Sequence, residues 1–305
     1  MGCLMRALLV DSSSKTGFRF GEIADPAPAP NQALVEVKTI SLNYGEVSGG
    51  FGAEEGKVQG WDAAGVVVKA AADGSGPEVG SRVVTFGSGG AWAQLRAVDV
   101  AELAVLPDDV DFAEASALPV AAVTALRALR RIGSLLGRRV LVTGAAGGVG
   151  RFGVQLAALA GAHVIASVGS VARGDGLAEL GAAEVIVGVE GLEGPLHGVL
   201  DNVGGPNLAT AFGLLVEGGS IQSIGATSGE PTVFPPYSTV GGYRRLESFH
   251  MGGGLAEDLE YVTSLVASGK LDVQIGYRGN WENSEDAIAA LLGRKVVGKA
   301  VLDVA

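Results

Sequence analysis

The 305-residue chain reads as an α/β protein, a β-rich N-terminal domain joined to a doubly wound parallel sheet. Three observations predict this. Residues 140–150, Val140-Leu141-Val142-Thr143-Gly144-Ala145-Ala146-Gly147-Gly148-Val149-Gly150, pass from an apolar strand into a glycine-rich turn. Apolar residues at helical spacing follow at once, from Arg151 to Ala160. From Arg139 onward strand-like and helix-like segments alternate, whereas residues 5–115 hold short alternating stretches separated by turn residues.

Pro26, Pro28 and Pro30 make an extended connector, and Ala33–Ile40 then alternates apolar and polar residues like a half-buried strand. Ala64–Lys69 and Arg82–Phe86 read as further strands, with turn chemistry at Asp73–Pro77 and Gly87–Gly90. The character changes at Phe112. Phe112–Ala117 and Ala121–Ile132 are alanine-rich and suit helices, with a break at Pro119. The strands of the second domain are Val140–Val142, His163–Ser167, Glu184–Val187, Gly198–Asp201 and Gly219–Ile224, with helices at Arg151–Ala160 and Gly176–Leu180. An amphipathic helix over Leu255–Ser268 precedes a last strand, Lys299–Val304, which returns to the N-terminal domain. The expected division is 1–118, 119–254 and a returning segment 255–305.

Composition narrows the function classes. At 48% hydrophobic and 6% aromatic residues, the core is built from Ala, Val, Leu and Ile. No apolar run approaches the roughly 18–20 residues that span a bilayer, and the first residues lack the pattern of a secretory signal. Cys3 is the single cysteine, so no disulfide framework and no cysteine-based zinc site arises within the chain, which fits a reducing cytoplasm. A net charge of −11 argues against a nucleic-acid partner.

The turn at Gly144, Gly147 and Gly150 has Gly-x-x-Gly-x-x-Gly spacing, with Ala145 and Ala146 in its first gap. Between a strand and a helix, Gly147 and Gly150 let the backbone approach a pyrophosphate. The helix start at Gly148 and Val149 offers free N–H donors to its charge. A glycine triplet alone is also an ordinary tight turn. After the second strand the chain reads Ser167-Val168-Gly169-Ser170-Val171-Ala172-Arg173, with no carboxylate before Asp175. Two hydroxyls and a guanidinium suit the 2′-phosphate of NADP(H), whereas NAD enzymes commonly place an acid there. The plain alternative is a solvated loop.

Six short pieces, in order, carry a family likeness: Ser41-Leu42-Asn43-Tyr44-Gly45-Glu46, Gly60-Trp61-Asp62-Ala63-Ala64-Gly65-Val66-Val67, Leu118–Ala125, residues 140–150, Leu200-Asp201-Asn202-Val203-Gly204-Gly205, and Gly298-Lys299-Ala300-Val301-Leu302. Together they resemble the medium-chain dehydrogenase/reductase superfamily, in particular its zinc-free quinone oxidoreductase and enoyl reductase branch. The resemblance implies a GroES-like β-domain, a Rossmann-type domain and an active site in the cleft between them. It departs from the family pattern where Trp61 and Asn43 stand in place of the zinc-ligating histidine and cysteine, where Glu46 replaces an aspartate, and where Ser48 replaces a tyrosine. On ligand count no metal is expected.

The site residues are expected as follows. Asn43 donates a hydrogen bond to the cofactor ribose or the substrate carbonyl, and Tyr44 donates a proton. Their plain alternatives are a turn asparagine and a core tyrosine. Thr124 sits at a helix start, where its hydroxyl caps, and by resemblance also touches the nicotinamide end. Asn202 and Val203 end a strand at the carboxyl edge of the sheet, where open α/β folds bind ligands. Gly225, Ala226 and Thr227 supply backbone contacts to the carboxamide. Lys299 approaches a phosphate or is a surface charge, and His163, His197 and His250 form no ligand set. The activity implied is NADPH-dependent reduction of a conjugated carbon–carbon double bond in an enone or enoyl substrate. Quinone reduction and a non-enzymatic NADP(H)-binding role stay open. The branch also implies a homodimer through an edge of the nucleotide domain, around Thr232-Val233-Phe234 and Leu246-Glu247-Ser248-Phe249.

Overall fold

The computed structural model describes residues 3–48 and 54–304; Met1 and Gly2 of the N-terminal stretch lie outside them. The chain divides into two compact units, Met1–Val123 with Gly252–Ala305, and Thr124–Met251.

In the first unit β1 (Leu4–Val10) and β2 (Phe18–Ala24) form an antiparallel pair. Five strands of a seven-stranded sheet follow, β3 (Gln32–Leu42), β4 (Asp62–Lys69), β5 (Arg82–Phe86), β6 (Leu95–Asp99) and β7 (Leu103–Val105); the other two come from the C-terminal segment. Alternating side chains of β3 are buried through most of its length, the period-two pattern read from its sequence. The four-residue helix α1 (Tyr44–Val47) follows β3 directly. Helix α2 (Phe112–Ser116) is started by a reciprocal cap: Asp111 accepts from the Ala113 N–H at 2.7 Å, and Glu114 accepts from the Asp111 N–H at 3.2 Å. The break expected at Pro119 is present: α2 ends at Ser116, Ala117 and Leu118 are not helical, and Pro119 opens α3 (Pro119–Ile132), where its missing N–H costs nothing.

The second unit holds a six-stranded, all-parallel sheet. Its elements are β8 (Arg139–Thr143), α4 (Gly148–Leu159), β9 (His163–Val168), β10 (Glu184–Val187), β11 (Leu196–Asp201), α5 (Gly205–Gly213), β12 (Leu215–Ser223) and β13 (Arg245–Ser248). The strand order β10-β9-β8-β11-β12-β13 reverses direction between β8 and β11, the doubly wound arrangement. Leu141, Ile165, Val199, Leu208, Phe212 and Ile221 form one buried cluster of this unit.

The chain then returns to the first unit through α6 (Ala256–Ala267), β14 (Ile275–Asn280), α7 (Ser284–Leu292) and β15 (Lys299–Asp303). As the sequence suggested, the last strand joins the N-terminal sheet: β15 pairs antiparallel with β3, Ala300 opposite Leu42. Trp92 and Trp281 are fully buried in the core it completes.

Two expected elements are corrected. Gly176–Leu180 is not a helix; a short 3-10 segment at Val171–Gly174 runs into turns, and Gly176 (φ +77°) and Gly181 (φ +103°) hold left-handed backbone that breaks a helix. Thr232-Val233-Phe234 is not a strand either. Phe234 packs on Phe212 of α5, ring centres 5.3 Å apart, while β13 is the strand at that edge of the sheet and β10 the one at the other.

Candidate functional site

In the second unit, the turn from β8 into α4 is built by two glycines. Gly144 takes φ +61°, and a Cβ on Gly150 would stand 2.3 Å from the Gly144 carbonyl oxygen and 2.6 Å from the Ala145 Cα. Gly150 therefore brings α4 tight against the turn. Ala145 and Ala146 are buried beneath it. Gly147 caps α4 and, having no side chain, takes none of the N–H donors at the helix start, Gly148 and Val149 among them.

Beside this turn lie the ends of β11 and β12. Asn202 donates its amide to the Thr143 carbonyl at 2.8 Å, and its own N–H reaches the Thr143 hydroxyl at 3.0 Å. Thr143 in turn donates to Asp201 at 2.7 Å. Asp201 is fully buried and accepts the Gly204 N–H at 3.0 Å; burial holds its carboxyl above the usual carboxylate range. Thr227 donates to the Asn202 carbonyl at 2.9 Å, and Gly225 lies so close to it that a Cβ would meet that oxygen at 3.0 Å. A Cβ on Gly204 would stand 3.3 Å from the Cα of Ala226. A Cβ on Gly144 would stand 3.3 Å from both Asn202 and Val203. Gly144, Asn202, Val203, Gly225 and Thr227 are thus brought together at the point where the strand order reverses. A side-chain-free helix start at that point fits a dinucleotide.

The three residues expected at a 2′-phosphate are placed differently from one another. Ser170 is exposed and Arg173 half-buried, on one turn closed by the Arg173 N–H to the Ser170 carbonyl at 3.1 Å. Ser167 is buried, and its hydroxyl donates to the Gly188 carbonyl at 2.8 Å, so it is committed within the fold. Thr124 is corrected too. It is no cap, since α3 begins five residues earlier, and its buried hydroxyl lies 3.4 Å from the Met251 sulfur.

In the first unit a polar cluster gathers around Asn43. Glu46, Asp62 and Lys299 are all buried, drawn from α1, β4 and β15. Asp62 accepts from Ser41 at 2.9 Å, from the Asn43 amide at 2.8 Å and from the Val120 N–H at 3.1 Å. Glu46 accepts the N–H of Asn43 at 2.6 Å and of Trp61 at 2.5 Å. Lys299 donates to the Asn43 side-chain carbonyl at 2.5 Å and to the Leu42 carbonyl at 3.2 Å. It is neither a surface charge nor free to reach out to a phosphate, which corrects both expectations for it.

Burial and the neighbouring Asp62 charge push Glu46 up to about 8, against the pull of Lys299 and the two N–H donors. Burial lowers Lys299, opposed by Asp62 and Glu46. The buried Arg96 guanidinium, lowered to about 10 by desolvation, adds a second cation and donates to Thr85 at 2.9 Å. Tyr44 is 39% exposed and so is no core residue. Trp61 is half-buried.

Sequence reasoning gives Arg96, Thr143 and Asp62 no role; it places Asp201 with Asn202–Gly205 at the carboxyl edge of the sheet but does not foresee its bond to Thr143. Asp62 and Asp201 had one signal in common, a carboxylate at the end of a largely apolar strand, Asp62 opening β4 and Asp201 closing β11. The donor set does not fit zinc: an amide and an indole stand at Asn43 and Trp61. Among the described residues no group of three His, Cys, Asp or Glu side chains is placed to hold a metal ion.

Comparison with known proteins agrees with this architecture. Residues 29–108 match the alcohol dehydrogenase GroES-like domain, and residues 148–268 match the family described as zinc-binding dehydrogenase. A chloroplast envelope quinone oxidoreductase homolog of Arabidopsis thaliana is 30% identical over 99% of both chains. The 2-methylene-furan-3-one reductase of Solanum lycopersicum is 30% identical over 92% of this chain and 74% of its own. Compactin diketide synthase of Penicillium citrinum is 32% identical over 63% of this chain, which spans only 8% of that much longer protein. The solved quinone oxidoreductase of Coxiella burnetii superposes with a TM-score of 0.86 at 25% identity, covering 99% of this chain and 100% of that one. A mycobacterial protein solved with NADPH superposes with a TM-score of 0.87 at 24% identity, over 98% and 99% of the two chains. The chain belongs to the medium-chain dehydrogenase/reductase superfamily, in its zinc-free quinone oxidoreductase and enoyl reductase branch. It is an oxidoreductase of that family with a GroES-like and a Rossmann-type domain.

Proposed function

We propose that the protein is a zinc-independent, NADP(H)-dependent reductase of conjugated carbonyl compounds, acting on the carbon–carbon double bond of an enone or enoyl substrate. The observation that carries the reading is Asn43: an amide donor, held by Lys299 and Asp62, at a position whose family pattern is metal-ligating. The names of the tomato reductase and the fungal synthase favour the same chemistry.

The dinucleotide would lie on the Gly144–Gly150 turn, with its pyrophosphate at the N–H groups of Gly148, Val149 and Gly150, and with Asn202, Val203, Gly225, Ala226 and Thr227 around the nicotinamide end. Ser170 and Arg173 would meet a 2′-phosphate. When bound, reduced nicotinamide supplies a hydride equivalent to the electron-poor β-carbon. As charge develops on the substrate oxygen, Asn43 donates its side-chain N–H to it, a fixed donor that needs no reorganisation. Tyr44 or water then gives a proton to the α-carbon. Thr124 is buried against Met251 and would border the site rather than react.

The quinone reading uses the same residues and is favoured by the names of the Arabidopsis and Coxiella relatives. Steady-state assays with NADPH against a panel of enones and 1,2-quinones decide between them. NADPH binding without turnover on either class would leave a non-enzymatic, nucleotide-binding role. We further propose a cytoplasmic homodimer acting on a small molecule, with no nucleic-acid or membrane partner. No helix among the described residues is long and apolar enough to cross a membrane. The dimer reading rests on β13, whose outer edge has no strand beside it among the described residues, and on Leu246, Val233, Val240 and Tyr243, all exposed near it in sequence.

A further inference from the structure

The ammonium of Lys299 makes its shortest contact with an amide, not with a carboxylate. Its Nζ lies 2.5 Å from Asn43 Oδ1 and 3.5 Å from the nearer Asp62 oxygen. A lysine present only to balance buried carboxylates would close on one of them. The strand register accounts for its placement. Ala300 stands opposite Leu42, so the antiparallel step brings residue 299 across from residue 43.

Donor and acceptor chemistry then fixes the amide. An ammonium only donates and an ionised carboxylate only accepts. With Lys299 on one side and Asp62 on the other, Asn43 is forced to present Oδ1 to the lysine and Nδ2 to the aspartate. A flip would set NH₂ against NH₃⁺ and oxygen against carboxylate, two repulsions in a buried site. Asp62 takes one of the two amide hydrogens, which leaves one N–H on a half-buried side chain. The Lys299 ammonium donating to Oδ1 also draws electron density from the amide nitrogen and makes that remaining N–H a stronger donor.

We propose that Lys299 is a positioning residue that acts through Asn43: it holds the amide carbonyl so that the single N–H not taken by Asp62 is the donor offered to the substrate oxygen. The last clause rests on the functional reading above; the first does not. The charged groups of the cluster are Asp62 on β4, Glu46 on α1 and Arg96 on β6.

Selective ¹⁵N-asparagine labelling makes the Asn43 side-chain N–H pair visible, and its loss in Asn43→Ala assigns it. Lys299→Met keeps the length of the side chain and removes the donor. The expected result is that the Asn43 pair moves, that kcat falls about tenfold, and that KM for NADPH stays within about twofold. Lys299→Arg, which keeps the cation, should recover part of the loss. An Asn43 pair unchanged in Lys299→Met overturns the proposal, as does a pair that moves with kcat intact or with the loss confined to KM. Should Lys299→Met not fold, Lys299→Met/Glu46→Gln removes one cation and one carboxylate together. Its Asn43 pair and kcat are then compared with those of Glu46→Gln alone, and coincidence of the two overturns the proposal. A wild-type protein inactive on every enone and quinone defeats the functional reading only, because the resonance comparison still decides whether Lys299 holds Asn43.

Discussion

The side-chain amide of Asn202 is bonded to the main-chain carbonyl of Thr143, 2.8 Å away, and so ties the end of β11 to the end of β8. These are the two strands between which the sheet reverses its order. The bond fixes the separation of the glycine turn from the loop after β11, the space in which a doubly wound sheet receives its ligand.

Asn202→Ala is expected to weaken dinucleotide binding and to lower stability by about 1–2 kcal/mol, because the Thr143 carbonyl loses its partner. Calorimetric titration with NADPH and a urea melt read the two effects. Wild-type affinity in a folded variant would remove Asn202 from the binding site.

Arg173→Ala is expected to weaken NADPH binding several-fold and to leave NADH nearly unchanged, since only the former carries a 2′-phosphate for the guanidinium. Equal losses for both cofactors would sink the phosphate assignment. Ser167→Ala, by contrast, should act through stability, as its hydroxyl already serves the Gly188 carbonyl.

Asn43→Ala is expected to reduce turnover by about a hundredfold or more, the usual cost of removing one fixed donor to a developing oxyanion. Tyr44→Phe keeps the ring and removes only the hydroxyl. A large drop in kcat with unchanged melting would make Tyr44 the proton donor, and no drop leaves water in that role.

Stability should depend on pH through Glu46. Its folded value, about 8, lies above the ordinary 4.5. Between these values the folded protein holds a proton that the unfolded chain has released, so stability falls as pH rises through that window and levels off above it. Glu46→Gln should flatten this slope. Its overall stability should be lower, because one amide NH₂ then faces an N–H that the carboxylate accepted. Urea midpoints across the window, compared with wild type, check this; parallel profiles would show that Glu46 does not titrate there.

Leu246→Arg is expected to turn a dimer into a monomer by light scattering at micromolar concentration, because it sets a charge on the open edge at β13. A wild-type monomer would refute the dimer itself.

Much of the fold is legible in residues close together in sequence. The 140–150 segment announces strand, turn and helix, because the 3.6-residue period and the Gly144 and Gly150 positions are local requirements. β3 shows itself by alternation for the same reason, and the alanine-rich stretch from Phe112 marks a helix. Local reading failed where glycine backbone outweighed helical composition, at Gly176–Leu180. At Thr232-Val233-Phe234 it was the family resemblance that implied an edge strand, and a long-range contact, Phe234 on Phe212, holds that side chain instead.

By itself the sequence determined the class of fold, the glycine turn and the absence of zinc ligands at Asn43 and Trp61, since each depends on residue identity and short spacing. The tertiary structure alone decided what Lys299 does. It stands 256 residues from Asn43, and only the pairing of β15 with β3 brings its ammonium to that amide. It likewise decided that Ser167 is spent inside the sheet and that Glu46 is buried beside Asp62. A charge on a strand end reads the same in sequence whether it meets water or a buried amide, because burial and hydrogen-bond partners are properties of the packed chain.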